Sequence, residues 1–268
     1  VERRGVLDHG QVVRMTVRIV SALARPDLAD QADEATASAF PEYNTHGDIA
    51  APRWSRLYDE HPAYQLVLWD DATGEVLGEA NTIPCRYDGT LQGLPRSIDE
   101  VLATGLPEVG VAPEPTALCA LAIAIPSGQE NRGQSRLLLK GMRELAAERG
   151  WAQLIAPVRP NWKARYPLTS IERYAAWTRP DGLPFDPWLR VHARLGGRIL
   201  RAEPESLRIS GTVSDWEGWV GMAFPETGRY VFPEGLALLH VDRERDLGLY
   251  HEPNIWVAHD AEAARGPG

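Results

Sequence analysis

The run Leu118-Cys119-Ala120-Leu121-Ala122-Ile123-Ala124-Ile125, continuing as Pro126-Ser127-Gly128-Gln129-Glu130-Asn131-Arg132-Gly133-Gln134-Ser135, decides how this chain folds. Residues 118–125 are the most apolar stretch of the sequence and fit a fully buried central strand. A polar loop then runs directly into residues 133–149, where Leu138, Met142, Leu145 and Ala146 recur at helical spacing and Gly150 is placed to cap the end in a left-handed conformation. Residues 153–158 are a second apolar run. The spacing predicts a strand–helix–strand unit over 118–158, with a crossover long enough for parallel strands. Its loop-to-helix junction has a chemical consequence. A helix start leaves backbone N–H groups without intrahelical acceptors and carries the positive end of the dipole. Small residues at Gly133 and Ser135 let a phosphate approach them closely. The geometry suits a pyrophosphate. A Walker loop would need a Gly-Lys-Ser/Thr ending, and a dinucleotide loop three spaced glycines; neither is present.

Working outward, residues 16–20 read as a strand, 27–40 as a helix opened by Pro26 and Asp27, and 52–60 as a helix with proline in its first turn. Residues 64–69 and 75–83 read as arms of a β-hairpin about the turn cluster Asp70-Asp71-Ala72-Thr73-Gly74. A long connection over 86–116 holds a short helix near 98–104. Past an aromatic and basic region ending near Phe185, a short helix covers 187–195 and stops at Gly196-Gly197; strands follow within 198–210, at 236–241 and at 254–259. No repeat or linker interrupts the chain. It reads as a tail over 1–15, one domain over 16–260 with insertions at about 86–116, 159–186 and 212–235, and a tail over 261–268.

Composition narrows the function. The 268 residues suffice for a sizeable core, and no stretch approaches the roughly 20 apolar residues that cross a bilayer. The first ten residues lack the apolar region of a signal peptide, and two cysteines, Cys85 and Cys119, make no disulfide framework, so a reducing cytoplasm is expected. A net charge of −9 argues against nucleic acid as a partner. Within this acidic chain, Arg159 to Arg198 carries eight basic and three acidic residues, either an ordinary surface or a patch for an anionic ligand or acidic carrier protein. His46, His61, His240, His251 and His259 show no metal-ligand spacing, and there is no Gly-x-Ser-x-Gly elbow. Cys119, inside the apolar run, reads as a structural thiol.

The loop and the order of elements resemble those of the GNAT N-acetyltransferase superfamily. In that family an apolar strand end is followed, about eight residues on, by the second glycine of a Gln/Arg-x-x-Gly-x-Gly/Ala pattern and an apolar helix. Ile125 to Gly133 has that spacing; Gly133 matches, Ser135 replaces the last small residue, and Glu130 and Asn131 depart from the usual types. Asp186-Pro-Trp-Leu-Arg-Val-His192-Ala-Arg-Leu-Gly-Gly197 is similar to the family's short helix, with His192 standing where a tyrosine is usual. The resemblance implies an α/β (α+β) fold, a mixed central sheet flanked by helices with an elaborated C-terminal part, and a V-shaped gap beside the central strand. It implies acetyl-CoA or another acyl-CoA as co-substrate and no metal. Backbone groups of Ile123 and Ile125 would pair with pantetheine amides, and Asn131, Arg132, Gly133, Gln134, Ser135 and Arg136 would hold the pyrophosphate.

Acyl transfer to an amine needs a deprotonated nucleophile, a polarised thioester carbonyl and a proton for the thiolate. His192 stands at the family's acid position, and Tyr166 or Tyr174 could supply a phenol instead. The expected acceptor contacts are Trp162, Glu172, Trp177, Asp186, Trp216 and Glu217, an aromatic and acidic set that could equally be a packed cap. Direct attack by a small-molecule amine, with an acetyl donor, is the leading expectation. A non-catalytic acyl-CoA sensor, and an enzyme acting on a carrier-protein thioester by transfer or decarboxylation, remain alternatives. An acyl carrier protein and a homodimer are the macromolecular partners left open, and no membrane partner is expected.

Overall fold

The structure is a computed structural model that describes residues 17–129 and 132–262. Strand β1 (Val17–Ser21) leads into helices α1 (Pro26–Thr36) and α2 (Ala51–Glu60), both opened by a proline where a missing N–H costs nothing. The hairpin β2 (Leu66–Asp70) and β3 (Val76–Cys85) follows, then α3 (Ile98–Gly105), with Ser97 accepting from the Glu100 N–H as its N-cap. The central unit is β4 (Ala117–Ala124), α4 (Gln134–Glu148) and β5 (Gln153–Val158). After it come α5 (Ile171–Ala175), α6 (Pro187–Arg194), β6 (Arg198–Gly211), α7 (Val213–Val220), β7 (Gly228–Tyr230), β8 (Leu239–Asp242) and β9 (Leu247–Asp260).

The strands form one mixed sheet in the order β1-β2-β3-β4-β5-β9-β8-β7, with β6 also on β9. The β4–β5 pair is parallel, as the crossover length predicts; the other pairs are antiparallel. Alternation along β4 feeds a core on each face. Leu118 and Ala120 join Leu138, Leu139, Met142 and Leu145 of α4, while Ala117, Cys119 and Leu121 join Leu57, Leu102 and Trp256 on the other side. Each such leucine contributes about 1.5–3 kcal/mol by leaving water.

Two irregularities open the sheet at its centre. Adjacent Asn81 and Thr82 of β3 oppose Ala122 and Ala120 of β4, so Leu121 is a bulge residue that bends β4. The β4–β5 ladder holds only at Leu118↔Leu154 and Cys119↔Ile155. Beyond that point β4 stays with β3 up to Ala124, and β5 stays with β9 up to Val158. The two strands therefore part into the expected V-shaped gap. Gly78 lets the layers close beside it, because a Cβ there would lie 2.6 Å from Ile125 Cδ1 and 2.9 Å from the Ala124 carbonyl.

The sequence expectations differ from the structure in several places: α5, α7 and β7 lie in stretches read only as insertions, and β8 begins at Leu239 rather than residue 236. α1 stops at Thr36 rather than near residue 40: the Ala39 amide turns back to the Thr36 carbonyl (2.8 Å), and Pro41 disfavours a helical Phe40. The last strand begins at Leu247, well before residue 254; pairing with β6, and with β8 over residues 247–249, sustains its first half.

Candidate active site

The donor side of the gap is the β4–α4 junction. Gly133 takes φ 91° at the N-cap of α4, with open space where a Cβ would stand. Leu137 and Arg136 donate backward to the Gly133 carbonyl, so the amides of Gln134 and Ser135 ahead of them face out of the helix start. Gln134 is buried, Ser135 half-buried, and Arg132 and Arg136 are exposed, which suits a pyrophosphate lying on the junction. The preceding loop is tied back by Gln129 Nε2 to Glu75 (2.7 Å) and by Ser127 Oγ to Ser38 Oγ (3.1 Å). Ile123 and Ile125 are half-buried on the strand that borders the gap. Main-chain groups on the edge that β4 turns away from β3 must find water or a ligand, and pantetheine amides fit that need. Asn131 lies outside the described residues. The residues present therefore fit an acyl-CoA.

The gap opens into a cavity of about 370 Å³. Its polar wall includes Asp33 and Thr36 of α1, Glu79 and Asn81 of β3, and Arg159, Glu252 and Asn254 beyond the gap. Ala122 and Ala124 of β4 line it as well. Glu79 stands directly opposite Ala124 on the β3–β4 ladder. Its carboxylate is 7% exposed; Thr36 Oγ1 donates to Oε1 (2.5 Å) and the Tyr58 hydroxyl to Oε2 (2.9 Å), while Asn81 Nδ2 donates to the Tyr58 oxygen (2.7 Å). Burial raises the Glu79 pKa above the ordinary carboxylate value, against the lowering effect of those hydroxyl donors. The Tyr58 phenol is pushed up by burial and by Glu79, so it stays protonated. A buried, oriented carboxylate lining a cavity beside the thioester gap is equipped to take a proton from an amine.

Across the cavity, Arg159 Nε donates to Glu252 Oε1 (2.5 Å), and Nη2 donates to the Tyr43 hydroxyl and the Glu234 carbonyl, each at 2.9 Å. Tyr250 donates its hydroxyl to Glu252 Oε2 at 2.8 Å. The Glu252 side chain is 2% exposed and that of Arg159 24%. Glu252→Leu should leave a cation without its partner and lower unfolding free energy by about 3 kcal/mol, the low end for a buried pair because Arg159 keeps some solvent. Urea unfolding of the variant measures this.

The residues expected from the sequence to act on the acceptor lie elsewhere. His192 is 3% exposed, with Nδ1 2.9 Å from His259 Nε2. Tyr174 donates to Asp186 Oδ2 (2.8 Å), and the other carboxylate oxygen of Asp186 caps α6 through the Trp188 and Leu189 amides. Trp162, Tyr166 and Trp177 pack with Tyr174 and Phe185 in one aromatic cluster. Glu172 sits in the first turn of α5. Trp216 is buried in the core with Nε1 donating to the Gly248 carbonyl, and Glu217 accepts from the Phe224 amide. None of these lines the cavity. The basic stretch is also largely engaged. Besides Arg159, Lys163 is buried on the Tyr166 and Leu236 carbonyls, Arg179 pairs with Asp181, Arg190 caps carbonyls and Arg198 pairs with Asp260.

Burial pushes the imidazoles of His192 and His259 down from 6.5, to about 3 and about 4. The folded chain thus keeps them neutral while the unfolded chain takes up protons below about pH 6.5. Stability is full above pH 6.5 and falls as pH drops toward 4. Thermal midpoints should decline over that window in the wild type and decline less in His192→Gln. Equal slopes would remove the pair as the cause.

Glu79, Asp33, Asn81 and Glu252 do not stand out in the sequence as acceptor-site residues, and Arg159 appears there only as one of the basic residues of 159–198. A signal existed for two of them: Glu79 and Asn81 are polar at alternate positions of an otherwise apolar strand and so share one face.

No family model matches the chain. Arginine N-acetyltransferase avaD of Aspergillus versicolor is 28% identical over 270 residues, spanning 89% of this chain and 92% of that protein. Among solved structures, the loading GNATL domain of CurA from Lyngbya majuscula aligns with a TM-score of 0.57 and 16% identity, over 92% of this chain and 98% of that one. The GphF GNAT-like decarboxylase in complex with isobutyryl-CoA aligns with a TM-score of 0.57 and 19% identity, over 91% of this chain and all of that one. At these identities the two structures speak to the fold.

Proposed function

We propose that this chain is a member of the GNAT superfamily, whose fold it shares, and that it transfers an acyl group, acetyl first among candidates, from a CoA thioester to the amine of a small molecule. The observation that carries this reading is the parting of β4 from β5 between a helix-start anion site on one side and the buried Glu79 carboxylate on the other. The thioester supplies an activated acyl carbon. Glu79 takes the proton of the incoming ammonium, freeing a lone pair for direct attack. As the N–C bond forms the C–S bond breaks; the nitrogen, now carrying one proton too many, releases it, and that proton neutralises the departing thiolate. Thr36 and Tyr58 hold the base in place, and Tyr58 keeps its own proton throughout. In this reading Glu79 is the base, while His192, which the resemblance placed at the family's acid position, does not line the cavity.

The cavity carries more carboxylate than cation, because Arg159 is balanced by Glu252 while Asp33 and Glu79 have no cationic partner among the described residues. That balance favours a positively charged acceptor, in keeping with the name of the fungal relative. Cys85 and Cys119 are free and buried. Among the described residues no helix is long and apolar enough to cross a membrane.

The test is thiol release from acetyl-CoA with an amine panel that includes arginine. Amine-dependent release is expected. Tight acetyl-CoA binding with no release from any amine would favour a sensor.

A further inference from the structure

The cavity has two chemically different halves. Around Glu79 it is polar. Its apolar wall includes Ala50 at the start of α2, Trp54 of α2, Ile98 of α3, the bulge residue Leu121 and Leu207 of β6, which pack in one hydrophobic cluster. Four of these, Ala50, Ile98, Leu121 and Leu207, are between 6% and 9% exposed. A polar amine alone would fill the first half and leave this apolar wall against water. At about 370 Å³ the whole cavity lies within the range of roughly 300–1,000 Å³ that encloses drug-sized ligands. The charges in the polar half are Asp33 on α1, Glu79 on β3, and the pair Arg159–Glu252. Arg159 commits its Nε and Nη2 to Glu252, Tyr43 and Glu234, so the uncompensated charge is negative.

We propose that the acceptor is an amphipathic amine, with a cationic head beside Glu79 and Asp33 and an apolar body of at least ring size in the chamber formed by Ala50, Trp54, Ile98, Leu121 and Leu207. This rests on the N-acyl transfer reading and narrows its substrate class. The bulge at Leu121 stands just past the point where the β4–β5 ladder ends, and its side chain forms part of the chamber wall.

The experiment compares ethylamine, 2-phenylethylamine and tryptamine as acceptors, with acetyl-CoA and thiol release as the readout. kcat/KM for 2-phenylethylamine should exceed that for ethylamine at least tenfold. Ala50→Phe, which fills the chamber, should lower kcat/KM for 2-phenylethylamine at least tenfold more than for ethylamine. Ile98→Ala, which enlarges it, should shift preference toward tryptamine at least threefold; thermal melts confirm that each variant folds. Equal kcat/KM across the three amines overturns the proposal. So does an Ala50→Phe effect that follows the acyl length, acetyl against butyryl-CoA, and not the amine, since the chamber would then hold the acyl chain. Calorimetry on the CoA-loaded protein separates this inference from the reading beneath it. At least tenfold tighter binding of 2-phenylethylamine than of ethylamine, with no thiol release from either, retains the chamber and rejects acyl transfer; equal or absent binding rejects the chamber.

Discussion

Glu79→Gln should lower kcat by about 10²- to 10⁴-fold, the usual contribution of a positioned general base. The substitution keeps the side chain's shape and an acceptor oxygen, so the contacts with Thr36 and Tyr58 can persist in part. Acetyl-CoA affinity should change little, because the proposed donor site is the junction at Gly133 and not β3. The pH profile gives a sharper readout. A base works when deprotonated, so activity should rise with pH through the Glu79 pKa. Burial holds that value above the ordinary carboxylate range, and the acid limb of the wild-type profile should be displaced upward accordingly. In Glu79→Gln this limb should disappear. A variant with wild-type turnover and an unchanged limb would remove Glu79 from the mechanism.

Gly133→Trp should weaken acetyl-CoA binding about 10²- to 10⁴-fold. The expected loss corresponds to two or more charge-assisted hydrogen bonds from the helix start, each worth about 1.5–3 kcal/mol. The conversion is about 1.4 kcal/mol per decade of affinity. Part of any effect is backbone strain, since a side chain at φ 91° costs on the order of 1–2 kcal/mol of stability. Gly133→Ala isolates that part: it carries the strain without the bulk that covers the Gln134 and Ser135 amides. Calorimetric titration should therefore show a modest change for alanine and a near-complete loss for tryptophan. Equal, small effects in both would place the pyrophosphate elsewhere.

The strand–loop–helix junction proposed as the donor site was legible because it is local. An apolar run, a polar loop, Gly133 and a periodic helix occupy adjacent positions, and each property acts through the backbone of its own segment. The parallel pairing followed from the crossover length. The acceptor half is not local. Asp33 and Thr36 come from α1, Glu79 from β3, Arg159 from beyond β5 and Glu252 from β9, and only the sheet order brings them together. His192 sits at a plausible position along a short helix, yet which way that helix faces depends on β9, whose His259 covers the imidazole. The mixed aromatic and acidic residues from Trp162 to Trp188 could be read as a ligand surface or as packing. The ring contacts, and the four donors converging on Asp186, resolve them into packing.

The most direct measurement is a crystal structure of the protein soaked with acetyl-CoA. The account predicts the diphosphate on the amides around residues 132–136, the pantetheine arm in the gap between β4 and β5, and the thioester facing the cavity that holds Glu79. Acetyl-CoA bound outside that gap, or a β4–β5 ladder closed along its whole length, would contradict it.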